Sequence, residues 1–472
     1  MPSQPSPASN PEGDRRQLWR KRWKTLFALT LPVATEQLLN MSMGVVNAVM
    51  ASNIGTQAVS GISLVDSLNM VVMAFFAAVA LGGTVVVAHH FGRGDSEGAN
   101  AVAAQALRSG TLIGLAVMVV VVLANSPLLK FLFFGADHQV LLYGQEYLLP
   151  TALSYPFLAL ALIASGVLRG AGDTKTPMVT NILMNVVNVL LGSLFIYGLG
   201  WGVSGAGFAN LGARVVGAAL ILGVLLSGRR RLSVTGRALK YHNPPIRRAI
   251  YQIGIPTGVE SLLFLGGKLI TQTFIASLGT VALAGNFVAS ALAGVAQLPG
   301  SALAIACTTL VGQAMGRKDP VEAKASIWYT LLASSLSLLV VGLVGIPLSP
   351  WLAGLFTKDP AVIQTATGLL QGILAVSPFI WAPSFLLPSG LRGAGDTRYP
   401  MIVTLVGMWV FRIGLGWVFV FPLDLGVMGV WLAMYVDWLV RSVLFLVRLS
   451  GTAWQKKEVH PEAASPDVVD RE

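Results

Sequence analysis

The strongest constraint on this chain is that it carries the same pattern twice. Pro32-x-x-x-Glu36 returns as Pro256-x-x-x-Glu260, Gly55 as Gly279 and Gly61 as Gly285, each 224 residues on. The turn Gly92-Arg93-Gly94-Asp95 returns as Gly316-Arg317-Lys318-Asp319 at the same spacing. Leu168-Arg-Gly-Ala-Gly-Asp-Thr174 returns unchanged as Leu391 to Thr397, at 223, and Gly202-Val-x-Gly205 returns as Gly426-Val-x-Gly429. Chance likeness between apolar runs would not keep such small polar landmarks in step. Two like halves follow, residues 25–227 and 250–449, joined by a basic stretch 228–249 that contains Pro244-Pro245.

Each half is a series of apolar runs long enough to cross a bilayer, for which about 20 residues suffice. Polar breaks divide the chain into about twelve, near 25–50, 61–88, 101–124, 142–166, 178–199, 205–227, 250–277, 283–312, 326–348, 362–388, 400–421 and 427–447. Charged residues are only 11% of the chain, against about 25% in soluble domains, which excludes a soluble globular or a disordered protein. Six spans per half is an even number, so both halves insert with one polarity and their relating axis runs along the membrane normal. The expected fold is all-α and integral to the membrane: about twelve transmembrane helices in two pseudo-symmetric six-helix bundles.

Lys and Arg fix the orientation. With the N-terminus inside, 26 of the 32 fall in cytoplasmic segments, two (Lys130 and Lys358) in external loops, and four within spans. This positive-inside bias places both termini, the tails 1–24 and 450–472, in the cytoplasm and the chain in the cytoplasmic (inner or plasma) membrane. The first 23 residues lack the short apolar core and cleavage site of a secretory signal. The net charge of +11 then faces anionic lipid rather than nucleic acid. One cysteine, Cys307, and five scattered histidines give no expectation of a disulfide, metal or cofactor site. No Gly-x-x-x-x-Gly-Lys-Ser/Thr run binds a nucleotide, and no nucleophile, paired-acid or metal-ligand set suggests an enzyme. Two like bundles around a central axis suit a rocking carrier, acting as a monomer on small organic substrates within the lipid bilayer.

An ionisable group at the bilayer centre costs roughly 2.5–3.5 kcal/mol on insertion scales, so each asks for a reason. Glu36 lies 12 residues past Lys24, about 18 Å along a helix, and Glu260 lies equally far past Arg248. Each follows a proline by four positions, and such a proline frees a carbonyl and bends its helix, so both helices are expected to bend just below the carboxylate. Low dielectric favours a neutral acid and a nearby cation favours its charged form; a carboxylate balanced between them can exchange protons. Glu260 and Glu36 are therefore the candidates for cation coupling, with a structural carboxylate satisfied by hydroxyls or a lysine as the plainer reading. Lys268, two turns beyond Glu260, has Gly44 as its counterpart; it is read as a counter-ion to a carboxylate or as an anchor for an anionic substrate. Arg412, whose counterpart is Asn188, is expected to hydrogen-bond kinked neighbours, and with Asp66, at the external start of span two, it joins the polar candidates of the cleft. Asp437 and Arg441 form an i,i+4 pair. No role is assigned to Arg214. In the loops, Arg93, Asp95, Arg169, Asp173, Arg317, Asp319, Arg392 and Asp396 are read as ion-pairing locks that break as the halves rock.

These landmarks resemble the multidrug and toxic compound extrusion (MATE) family: the Leu-Arg-Gly-Ala-Gly-Asp-Thr segments after spans four and ten, the Gly-Arg-Gly-Asp and Gly-Arg-Lys-Asp turns, the Gly-Val-x-Gly openings of spans six and twelve, and the early proline of spans one and seven. The resemblance covers roughly 25–448. It implies two bundles flanking a cleft and export of organic cations in exchange for H⁺ or Na⁺. The sequence departs from it where many members carry carboxylates: Asn47 stands in place of a first-span Asp, Gly192 in place of an Asp four residues after Asn188, and 362–388 holds no acid. Asn47, Asn185 and Asn188 remain as polar ligands, and carboxylate coupling falls to Glu260 and Glu36, which favours H⁺, since Na⁺ wants several oxygens. The expected function is a secondary antiporter exporting amphipathic, often cationic, compounds by rocking-bundle alternating access. The alternative cargo is an anionic metabolite or a lipid-linked compound, which Lys268 and Arg412 would favour.

Overall fold

A computed structural model describes residues 11–228, 231–236, 238, 243–457 and 459; the rest of both terminal tails and of the linker lies outside the described residues. These form helices and no strand. The first half comprises α1 (Pro11–Ser52), α2 (Thr56–Gly92), α3 (Ser96–Leu123), α4 in two pieces (His138–Leu153 and Tyr155–Gly170), α5 (Lys175–Gly198) and α6 (Gly202–Leu226). The second comprises α7 (Pro244–Ser277), α8 in two pieces (Thr280–Ala296 and Leu298–Gly316), α9 (Pro320–Gly354), α10 (Pro360–Gly393), α11 (Arg398–Val420) and α12 (Gly426–Ser450). Ten helices among the described residues are long and apolar enough to cross a membrane alone, and the pieces of α4 meet that test as a pair bent by 52°. The twelfth, α1, has 42 residues but is diluted by Glu36, Gln37 and Asn40. The chain is a multi-pass membrane protein of twelve spans, six to each bundle.

Local chemistry explains where the spans begin and turn. Helix α7 starts six residues before the apolar run because the Asn243 side chain accepts from the Ile246 amide and Pro244-Pro245 fill its first turn. The repeated glycines are backbone requirements: Gly172 and Gly395 have φ of 82° and 90°, and Gly202 and Gly426 have 56° and 58°, a region open to glycine at little cost. The break in α4 follows Leu153, and the equivalent place in α10 is a wide, π-helical turn over Ser377–Trp381. A longer π-helical stretch, Gly407–Leu415, interrupts α11.

The end of the molecule that carries the residue 228–243 connection, hereafter the linker end, is where the bundles meet. Leu26 and Leu29, in the part of α1 before Pro32, pack in the core of the second bundle, beside Leu310, Leu391 and Phe445. Ile246, Ile250 and Ile253 at the start of α7 pack in the core of the first, beside Val86, Leu107 and Leu168. The two bundles thus exchange helix ends. Their backbones nearly touch there: a Cβ on Gly82 would lie 2.3 Å from the Ile250 carbonyl oxygen, one on Gly92 2.1 Å from that of Gln313, and one on Gly316 2.1 Å from that of His89. Gln313 Nε2 donates to the Gly170 carbonyl at 2.9 Å, Thr309 Oγ1 to the Arg169 carbonyl at 3.2 Å, and His89 Nε2 to the Gly393 carbonyl at 2.9 Å. Arg22 pairs with Glu322 at 2.5 Å. The linker end is closed.

Candidate functional site

Two cavities hold the sequence-predicted glutamates, one per bundle, and Met70 lines both. Each has a buried glutamate bridged by an arginine. In the first bundle Arg169 Nη2, from the last turn of α4, donates to Glu36 Oε1 at 2.5 Å, and Asn181 Nδ2 reaches the same oxygen at 3.4 Å. In the second, Arg392 Nη2 from α10 donates to Glu260 Oε1 at 2.6 Å. The other oxygen of each carboxylate has no partner among the described residues. Both α1 and α7 continue as helix through Pro32 and Pro256. The carbonyls that those prolines leave free, Ala28 and Gln252, accept from the hydroxyls of Thr174 and Thr397 at 3.4 Å each, so the last residue of each repeated Leu-Arg-Gly-Ala-Gly-Asp-Thr segment restores the lost bond.

The loop residues divide into two groups. Arg169 and Arg392, read from sequence as loop locks, instead send their side chains into the bundles to the glutamates, and Arg392 takes the place beside Glu260 that Lys268 was a candidate to fill. The four aspartates act within their own bundle. Asp173 caps α5 through the Thr176 amide and hydroxyl at 3.0 and 2.7 Å, and Asp396 accepts two bonds from Arg448 of α12 at 2.9 and 2.7 Å. Asp95 and Asp319 cap α3 and α9 through the Gly98 and Glu322 amides at 2.8 and 2.9 Å. Burial opposes ionisation of Asp95, but the Gly98 amide, His90 and Arg93 outweigh it and hold its carboxyl below the usual carboxylate value. Arg93 and Arg317 end α2 and α8 with backbone bonds to His89 and Gln313. The side chains that cross the closure, His89, Thr309 and Gln313 together with the Arg22–Glu322 pair, were missed. The available signal was that His89 and Gln313 occupy equivalent positions in the two halves.

The first-bundle cavity, about 570 Å³, is walled by amides: Gln37, Asn40, Asn47, Asn69, Asn181 and Asn185. Asp66 and Arg214 complete it. Asp66 Oδ1 accepts from Asn69 at 3.2 Å, Asn69 Oδ1 accepts from Tyr155 at 2.8 Å, and Arg214 donates to Ser154 Oγ at 2.6 Å. Arg214, to which the sequence assigned no role, is therefore a buried wall residue. Asn188 lies apart, in a narrow crevice with Asn47 and Asn210.

The second-bundle cavity, about 360 Å³, is lined by Glu260, Lys268, Arg392, Thr404 and Arg441 with Phe264, Leu265, Phe385 and Pro388. Arg412 stands behind this lining. From the irregular stretch of α11 it pairs with Asp437 at 2.8 Å and lies over the Phe264 and Trp438 rings at 5.4 and 5.7 Å. Asp437 is shared, since the expected Arg441 partner is at 3.8 Å. A Cβ on Gly407 would fall 2.2 Å from Asp437 Oδ1, which is why a glycine opens that stretch.

Comparison with known proteins agrees with this geometry. A profile of the MatE family matches residues 32–194 and 256–418, one copy in each half. The chain is 28% identical over 440 residues to the probable multidrug resistance protein NorM of Thermotoga maritima, covering 92% of this chain and 94% of that one. It is 27% identical over 445 residues to the uncharacterized transporter YisQ of Bacillus subtilis, covering 92% and 95%. The solved structure of an outward-facing multidrug resistance MATE family transporter of the MOP superfamily superposes with a TM-score of 0.86 at 22% identity, over 92% of this chain and 97% of that one.

Proposed function

The chain belongs to the MATE family of transporters, and from that premise we propose that it is a secondary antiporter that exports amphipathic organic compounds in exchange for H⁺ entering the cell. The observation that carries the reading is the pair of glutamate–arginine bridges set against the closure of the two bundles. Arg169 holds Glu36 with its side chain while its carbonyl receives Thr309 from the other bundle. Arg392 holds Glu260 next to Gly393, whose carbonyl receives His89. A proton on either carboxylate removes the charge that fixes its arginine, and the arginine is then free to shift the backbone that bridges the bundles. Proton uptake and opening of the linker end are coupled through one residue in each half.

The 26 basic residues that the sequence assigns to the segments on this side support a cytoplasmic location for the linker end, so the closed linker end corresponds to an outward-open carrier. Each chain forms both cavities and the closure by itself, which supports a monomeric transport unit. The test uses purified protein in liposomes with a fluorescent organic cation as cargo, under an imposed H⁺ gradient and then a Na⁺ gradient. Movement driven by ΔpH, and lost in both Glu260→Gln and Glu36→Gln, is the expected result. Movement driven only by Na⁺ overturns proton coupling, and unimpaired movement in both variants overturns the role of the carboxylates.

A further inference from the structure

The duplication is broken in the balance of charge around the two cavities. Around the first, Glu36 and Asp66 are matched by Arg169 and Arg214. Around the second stand four cations, Lys268, Arg392, Arg412 and Arg441, and two carboxylates, Glu260 and Asp437. The excess arises from substitutions confined to the second half: Lys268, Arg412 and Arg441 replace Gly44, Asn188 and Gly217 of the first. Glu260 is engaged by Arg392, and Asp437 is divided between Arg412 and Arg441. Lys268 has no ion-pair partner among the described residues, and the charge acting on it is the like-signed Arg412. Arg441 is buried, and its Nε and Nη1 lack hydrogen-bond partners among the described residues. Cations gathered in excess of counter-charge in a low dielectric repel one another and lose hydration, so the arrangement is relieved by an anion.

We propose that the second-bundle cavity is a binding site for amphipathic organic anions, with Lys268 and Arg441 holding a carboxylate, sulfonate or phosphate and the apolar wall holding its hydrophobic body. That wall is Phe264, one turn before Lys268 on α7, with Leu265, Pro388, Met70 and Phe385, over whose ring the Arg441 guanidinium lies at 5.0 Å. A cavity of about 360 Å³ admits a two-ring aromatic. Naming this anion as cargo rests on the carrier reading above; the site itself does not.

The full chain in phosphatidylcholine nanodiscs, titrated calorimetrically with 2-naphthalenesulfonate and with the similarly sized cation N-methylquinolinium, tests the site. Wild type is expected to bind the sulfonate at least tenfold more tightly than the cation. Lys268→Gln should bring that preference below threefold, while Lys268→Arg keeps it. A wild type without the preference, or a Lys268→Gln variant that retains it, overturns the proposal. Repetition in phosphatidylglycerol separates the sources of the anion: undiminished sulfonate binding supports a soluble ligand, and its loss assigns the same cationic site to a lipid headgroup. Failure of the transport reading is distinguishable, because a protein that binds the sulfonate selectively but moves nothing across a liposome keeps the site and loses the carrier, whereas ΔpH-driven cation movement without sulfonate preference does the reverse.

Discussion

Glu260 and Arg392 illustrate what one pair of atoms can control. Both side chains are largely buried, at 7% and 17% exposure, and removing one partner of such a pair costs about 3–5 kcal/mol because the other charge is stranded. Arg392→Met is therefore expected to lower the thermal midpoint sharply, and adding Glu260→Gln to recover much of the loss, a coupling that a double-mutant melting cycle measures. Asp95 gives a prediction about pH. Its folded carboxyl sits below the ordinary value of 3.8, so its stabilising contribution is present at neutral pH and fades as pH falls through the folded value. Asp95→Ala should cost about 1 kcal/mol at pH 7, as a lost N-cap, and the melting points of variant and wild type should converge as pH falls below the ordinary carboxylate value. Both glutamates were legible in the sequence, since depth in a span and recurrence after a proline single them out. Their partners were not. Arg169 and Arg392 lie 133 and 132 residues away from them, next to glycine turns, where an arginine reads as a surface loop residue.

Helices carry the next layer of information. Span positions followed from apolar runs, and departures came where side chains rather than hydropathy set the geometry: the capped, proline-led start of α7, or the threonines that bond the carbonyls freed where α1 and α7 continue through proline. Close approach of α2 and α8 was written in Gly92 and Gly316, but as turn residues; their role as crossing points emerges only when the two helices are seen to touch. Gly92→Ala would place a methyl 2.1 Å from the Gln313 carbonyl oxygen, so the bundles should no longer close at the linker end. Spin labels on the two sides of that end should report a longer distance by pulsed EPR. Gly223→Ala, whose added carbon meets nothing within 4 Å, should leave the distance unchanged.

At the scale of the whole molecule, two like six-helix bundles were readable from the repeat, while the traffic between them was not, because periodicity does not say in which bundle a helix end will pack. The segment after α12 shows the same limit. Read as a tail, it places Trp454 at 0% exposure in the core of the second bundle and Val459 in that of the first. Trp454→Ala should cost about 3–5 kcal/mol, seen as a lower melting midpoint for the entire chain. The exchange of helix ends also orders the birth of the protein. A ribosome completes the first bundle's own helices before Ile246, Ile250 and Ile253 exist, so that core waits with a vacancy beside Val86 and Leu168, and Leu26 and Leu29 wait for partners made hundreds of residues later. Neither half can mature ahead of the other, and a nascent chain released after residue 228 would present unfinished surface to the proteases that patrol the membrane.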